Sequence, residues 1–225
     1  MRLAILFSGG KDSCLALERT RKLEEVVCLV NIKSANTESY MFHTPNAHLV
    51  NLQSEALGIP LFVKATEGEK EKELDDLKSA LQWVKDTYDV EGVVTGAIAS
   101  TYQSIRIQKV CNTLSLWCFN PLWQMDQFDV VKEVIESGYE VFVSGVFAYP
   151  MEEKWLGRTL TEEMLKELCD LHKNYGISPS GEGGEFETTV LDGPIFKRGI
   201  KVLKIDKKFK NNAGVANIVK TGWKI

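Results

Sequence analysis

Arg2-Leu3-Ala4-Ile5-Leu6-Phe7, then Ser8-Gly9-Gly10-Lys11-Asp12-Ser13, then Cys14-Leu15-Ala16-Leu17 reads as a strand entering a glycine loop and leaving as a helix. Glycines at 9 and 10 let the backbone approach a phosphate, and the first N–H groups of the following helix point at it. Ser8 and Ser13 add hydroxyl donors and Lys11 a positive charge. Asp12 adds a carboxylate that can help hold Mg²⁺, an ion that prefers oxygen ligands and substrate phosphates. The same string also suits a tight turn in which Asp12 or Ser13 only caps the helix. Its spacing is neither the Gly-x-x-x-x-Gly-Lys-Ser/Thr of the Walker loop nor the Gly-x-Gly-x-x-Gly of dinucleotide sites, which argues against Walker-type motors and hydride chemistry.

Outward from this loop, apolar runs alternate with amphipathic stretches, the pattern of βαβ units in a parallel sheet covered on both faces. Strands are expected at 2–7, 26–32, 61–65, 92–95 and 117–120, with helices at 11–23, 47–57, 70–88, 104–114 and 128–137. In the third helix Leu74, Leu77, Leu81 and Val84 recur at helical spacing, which marks core rather than a cofactor site. After Gly138 the character changes to a strand at 140–147, a helix at 161–175, a Gly/Ser/Pro-rich loop at 176–184 and β-rich sequence to Ile225. The expected architecture is α/β: a five-stranded parallel sheet over residues 1–127, plus a smaller α+β domain over 128–225, with no flexible linker and no internal repeat.

With 225 residues, 44% hydrophobic and 26% charged, the chain has the composition of an ordinary globular protein. A net charge of -4 supplies no global electrostatic reason to bind nucleic acid. No run approaches the roughly 18 apolar residues of a membrane span, and no cleavage-site pattern precedes the loop, so a soluble protein of the cytoplasm is expected. The five cysteines show no two-residue spacing of zinc or redox pairs. Cys14, at the start of the first helix, could be an activated thiolate or a small core residue.

A second string, Gly181-Glu182-Gly183-Gly184-Glu185-Phe186-Glu187-Thr188, crowds three carboxylates among three glycines. Such acids repel one another, so Mg²⁺, an ammonium ion or a cationic substrate would relieve them, and one member with a perturbed pKa could act as a base. They could equally be solvated loop charges. Asn31 and Gly96, near the carboxyl ends of the second and fourth strands, fall where open α/β sheets bind ligands, and Arg106 could meet a phosphate.

The first string resembles the PP-loop of ATP pyrophosphatases, in which Ser-Gly-Gly-x-Asp-Ser follows the first strand of a Rossmann-like (HUP-type) sheet. The second is similar to the signature of the diphthine-ammonia ligase family. The segments Glu38-Ser39-Tyr40-Met41, Tyr102-Gln103, Pro121-Leu122-Trp123, Leu156-Gly157 and Leu191-Asp192-Gly193-Pro194 extend the likeness from about residue 3 to residue 200. The resemblance implies an AMP-forming ligase that uses ATP and Mg²⁺ to adenylate the carboxylate of diphthine on translation elongation factor 2, which ammonia then converts to the amide. It implies nucleotide contacts from Ser8, Gly9, Gly10, Lys11, Asp12, Ser13, Asn31, Gly96 and Arg106, a metal contact from Asp12, and chemistry at Lys11, Asp12, Glu182, Glu185 and Glu187. Many members carry arginine where this chain has Ser104, which puts one phosphate contact in question. His48 matches a family position and His43 often does not; both are left out of the catalytic set. An adenylating enzyme for another acid or a tRNA base, a non-catalytic ATP sensor, and assembly into homo-oligomers stay open at this point.

Overall fold

The structure, a computed structural model, describes residues 1–35, 45–69 and 71–224. The segment Glu38-Ser39-Tyr40-Met41, His43 and the expected helix start at Lys70 lie outside the described residues. Strands β1 (Arg2–Leu6), β2 (Glu25–Ser34), β3 (Leu61–Thr66), β4 (Gly92–Val94) and β5 (Trp117–Phe119) form a parallel sheet in the order β3-β2-β1-β4-β5. Helices α1 (Lys11–Arg21), α2 (Val50–Leu57), α3 (Lys72–Tyr88) and α4 (Thr101–Thr113) fill the crossovers. The direction of strand order reverses between β1 and β4, so the crevice beyond their carboxyl ends is where a ligand fits this topology.

Period-two alternation sends successive side chains of β1 to opposite faces. Leu3, Ile5 and Phe7 enter one apolar cluster with Leu15, Leu17 and Leu29, while Ala4 enters a second with Val30, Leu77, Leu81 and Val93. The first cluster does not end at the sheet: it continues into Val141, Val143, Phe186, Val190 and Ile218 of the second half. Each such Leu, Ile or Phe contributes about 1.5–3 kcal/mol of transfer free energy, so this shared core ties the two halves together.

The second half packs α5 (Gln127–Glu136) and α6 (Glu162–Tyr175) with an antiparallel sheet of β6 (Glu140–Val146), β7 (Phe186–Asp192), β8 (Ile200–Lys210) and β9 (Ala213–Trp223), in the order β7-β6-β9-β8. Asp126 begins α5 by accepting hydrogen bonds from the N–H groups of Phe128 and Asp129 at 2.8 and 3.2 Å.

Two element boundaries differ from the sequence reading in ways that matter at the site. Helix α4 starts at Thr101, three residues earlier than its apolar spacing indicates, because Ser100 caps it and accepts from the Gln103 N–H at 3.4 Å. The expected second helix is a short 3-10 turn, Ala47–Leu49, followed by α2. No helix among the described residues is long and apolar enough to cross a membrane.

Candidate functional site

A cavity of about 770 Å³ opens at the carboxyl ends of β1 and β4, within the range of small-molecule sites. Ser8, Gly10, Lys11, Asp12 and Ser13 line it from the loop, Asn31 and Gly96 from the strand ends, and Glu182 and Glu187 from the second half.

The loop is shaped by contacts from far along the chain. Gly9 adopts φ +80, a conformation few side chains tolerate. Its carbonyl accepts from the Val190 N–H of β7 at 2.9 Å and from the Gln53 amide at 2.8 Å, and the same Gln53 nitrogen reaches the Val190 carbonyl at 2.8 Å. Gln53 is fully buried. The Lys11 N–H donates to Thr188 Oγ1 at 3.2 Å, so strand β7 holds both ends of the glycine turn. Ser8 Oγ accepts from the Gly10 N–H at 3.3 Å and lies 3.3 Å from Ser13 Oγ, which donates to the Gly10 carbonyl at 3.0 Å. At Gly96 a Cβ would stand 2.8 Å from the Asp12 carbonyl carbon and the Ser13 nitrogen, so β4 approaches the start of α1 as closely as backbone allows.

Lys11 is 3% exposed. Its Nζ donates to Asp12 Oδ2 at 3.0 Å and to the Ser180 carbonyl, and lies 5.4 Å from the centre of the Phe186 ring. Burial raises the Asp12 pKa, with Lys11 opposing the shift and Glu182 adding to it. Asp12 Oδ1 is buried and has no hydrogen-bond partner. Burial also pushes Glu187 up from 4.5 to about 7, against the pull of Lys11 and with Asp12 and Glu182 reinforcing it. One buried lysine thus faces a set of carboxylates that disfavour their own ionisation, an arrangement that a bound cation would stabilise.

Of the residues expected at the site, Ser8, Gly10, Lys11, Asp12, Ser13, Asn31, Gly96, Glu182 and Glu187 line the cavity, and Gly9 shapes the turn beneath it. Asn31 donates to the Phe7 carbonyl at 2.8 Å, which ties β2 to the end of β1. Two are placed elsewhere. Glu185 Oε1 accepts from the Ser178 N–H at 2.8 Å and its Oε2 is buried without a partner, so this carboxylate folds back into its own loop. Arg106 lies outside the cavity lining: its guanidinium stacks 3.7 Å from the centre of the Tyr102 ring and pairs with Glu71 at 3.1 Å. Tyr102, Gln103 and Ile107 present α4 to the cavity, whereas Arg106 turns along the helix surface toward Tyr102 and Glu71. Cys14 is fully buried, and burial with the nearby Asp12 holds its thiol well above the usual range, which removes the thiolate option. His48 contacts the Ile218 carbonyl at 2.9 Å, bracing α2's approach to β9 rather than facing the cavity.

The sequence reading missed Gln53, the role of Thr188, and Gln127. The Gln127 side-chain oxygen accepts from the hydroxyls of Ser178 and Ser180, the second at 2.7 Å, and so sets the path of the glycine loop above Lys11. The one signal for Gln53 was its place on the buried face of α2 with Val50, Ala56 and Leu57.

The raised pKa of Glu187 has a measurable consequence in metal-free protein. A carboxyl group that ionises less readily folded than unfolded adds stability while protonated: the gain is full below 4.5 and is lost as pH rises to about 7. Urea unfolding in EDTA should show stability falling by about 1–2 kcal/mol from this group between about pH 5.5 and 8. Glu187→Gln should remove that part of the slope. A slope unchanged by the substitution would place the titration elsewhere.

Comparison with known proteins covers most of the chain. The family described as the diphthamide synthase N-terminal domain matches residues 1–117, and the diphthamide synthase C-terminal domain matches residues 126–223. A protein of Rattus norvegicus named diphthine--ammonia ligase is 38% identical over 90% of this chain and 83% of its own length. The Homo sapiens protein of the same name is 37% identical with the same coverage. The Saccharomyces cerevisiae one is 33% identical over 88% of this chain, which spans 34% of that longer protein.

Proposed function

Since the chain belongs to the diphthamide synthase family, we propose that it catalyses ATP-dependent amidation of diphthine on translation elongation factor 2 in the cytoplasm, with ammonia as nitrogen donor and AMP and pyrophosphate as products. Relatives named for this activity span the same two halves, and the chain covers 83% of the mammalian ones. The observation that carries the reading is the meeting in one cavity of the Ser8–Ser13 loop with two half-buried carboxylates, Glu187 of β7 and Glu182 of the loop before it.

In this reading the donors of the phosphate loop, Ser8, Ser13 and the N–H groups of α1, bind the triphosphate and Lys11 neutralises it. Asn31 and Gly96 border the adenosine. Asp12 fits a metal contact because its buried Oδ1 has no partner. Among the described residues no cluster of three metal-binding side chains exists. That suits Mg²⁺, which commonly takes one or two carboxylates together with phosphate oxygens and water. When bound, the ion would balance charge on the phosphates. The acceptor carboxylate attacks the α-phosphorus and pyrophosphate leaves. The nitrogen of ammonia then attacks the acyl carbon and AMP departs with the carboxylate oxygen. Glu187, whose pKa burial raises to about 7, binds the ammonium ion in its ionised form and takes the proton that frees the nucleophile.

The test is product analysis with ATP, Mg²⁺, ammonium and diphthine-bearing elongation factor 2, separating AMP from ADP and weighing the factor by mass spectrometry. AMP with a factor amidated at one carboxylate is the expected result. AMP without amidation would move the acceptor elsewhere, and bound but intact ATP under all conditions would overturn the catalytic reading in favour of a sensor.

A further inference from the structure

Among the acids of the glycine loop, Glu182 makes the most structured contacts. Its Oε1 accepts hydrogen bonds from three consecutive backbone N–H groups: Ile98 at 3.2 Å, Ala99 at 2.8 Å and Ser100 at 2.8 Å. These donors sit at the entry to α4, where the helix leaves N–H groups unpaired and its dipole favours a negative charge. They belong to the opposite half of the molecule, 82 to 84 residues away in sequence. Three donors commit Oε1 to this turn and leave it to the backbone rather than to a ligand.

The place of this contact gives it consequence. Residues 98–100 lie two to four positions after Gly96, whose backbone packs against Asp12 and Ser13. The loop that carries Glu182 is held on its other side by Gln127, through Ser178 and Ser180, and by Lys11 at the Ser180 carbonyl. Glu182 therefore closes a circuit from the phosphate loop, through the β4–α4 turn and the glycine loop, back to Lys11.

We propose that Glu182 is a positioning residue. Its carboxylate clamps the glycine loop of the second half onto the β4–α4 turn and fixes how far Lys11 and Glu187 stand from bound nucleotide; it neither transfers a proton nor holds the metal. The proposal rests on the reading that the cavity binds ATP, and it divides the acidic signature by role: Glu187 for chemistry, Glu182 for architecture.

Glutamine discriminates the two roles, because its amide oxygen can accept the same N–H groups but cannot ionise. Glu182→Gln should keep kcat within about threefold of wild type on the plateau of the pH profile, with the Glu187 limb moved slightly downward as one neighbouring charge is removed. Glu182→Ala should raise KM for ATP about tenfold to hundredfold, the effect of losing hydrogen bonds to a charged group, with the same slight downward move of the Glu187 limb. Amide exchange over residues 98–100 in ATP-free protein should accelerate at least about tenfold in the alanine variant and much less in the glutamine variant. If the alanine variant does not fold, Glu182→Asp, one methylene short of the turn, serves instead and should behave like alanine. A glutamine variant that loses turnover while exchange at 98–100 stays slow would overturn the clamp in favour of a proton or metal role. An alanine or aspartate variant with unaltered exchange and KM would show the contact to be idle. Failure of the wild-type protein to bind ATP would instead overturn the reading of the cavity, since the exchange measurement tests the clamp without nucleotide.

Discussion

Replacing Lys11 by methionine is expected to lower AMP formation by about 10²–10³-fold, the usual cost of removing one preorganised charge or donor aimed at developing negative charge. Methionine keeps much of the length and apolar contact of the lysine stem, so the Phe186 contact and the packing should survive. Two consequences separate this from simple unfolding. Lys11 is what holds the pKa values of Asp12 and Glu187 down against burial, so its loss should drive the Glu187 titration above its present value of about 7. Stability in metal-free buffer should then decline over a wider span of pH than in wild type, whereas thermal melting near pH 5.5, where Glu187 is protonated, should change little. Turnover that stays within a few-fold of wild type would remove Lys11 from the chemistry.

Gly9→Ala carries the largest expected cost to the fold. A Cβ at residue 9 would lie 2.1 Å from Gln53 Oε1, and φ is +80. Relief by moving Gln53 breaks its bonds to the Gly9 and Val190 carbonyls, in a site where the amide is fully buried. Backbone strain of about 1 kcal/mol and two hydrogen bonds near 1 kcal/mol each give about 3 kcal/mol. In a chain of this size that lowers the melting temperature by about 10 °C. Gly138 is the control: it shares φ +80, but a Cβ there meets nothing within 4 Å, so Gly138→Ala should cost only the strain. Equal melting of the two variants would show that Gln53 does not brace the loop.

What the sequence made legible follows from which interactions are local. The strand-loop-helix around Ser8–Ser13 is encoded within a dozen residues, and the five parallel strands announce themselves as apolar runs between amphipathic helices. Glycines at 9 and 96 could be placed because only glycine permits such close backbone approach. The partners of those glycines could not: Gln53, Thr188 and the N–H groups of 98–100 reach the site across 44 to 177 residues. Those distances are closed by how β7 registers on β6 and by where α4 begins. Alternation alone would put Glu185 and Glu187 on one face, yet Glu185 precedes the strand and turns back to Ser178. Arg106 turns to Tyr102 and Glu71 while its neighbour Ile107 lines the cavity, a choice of helix face that the residue type does not encode. The residue types pointed to the cavity, whereas the different contacts of Glu182, Glu185 and Glu187 are a matter of tertiary geometry.

The support of the phosphate loop by β7 also sets a schedule for biosynthesis. The loop leaves the ribosome well before its braces, since Thr188 and Val190 are 177 and 137 residues beyond their partners Lys11 and Gln53. A nascent chain released from the tunnel only through β5 has every residue of the glycine turn and none of the strand that fixes it. Nucleotide affinity is then acquired late in translation, as β7 docks, and stalled or truncated chains ending before residue 186 would neither sequester ATP nor cleave it.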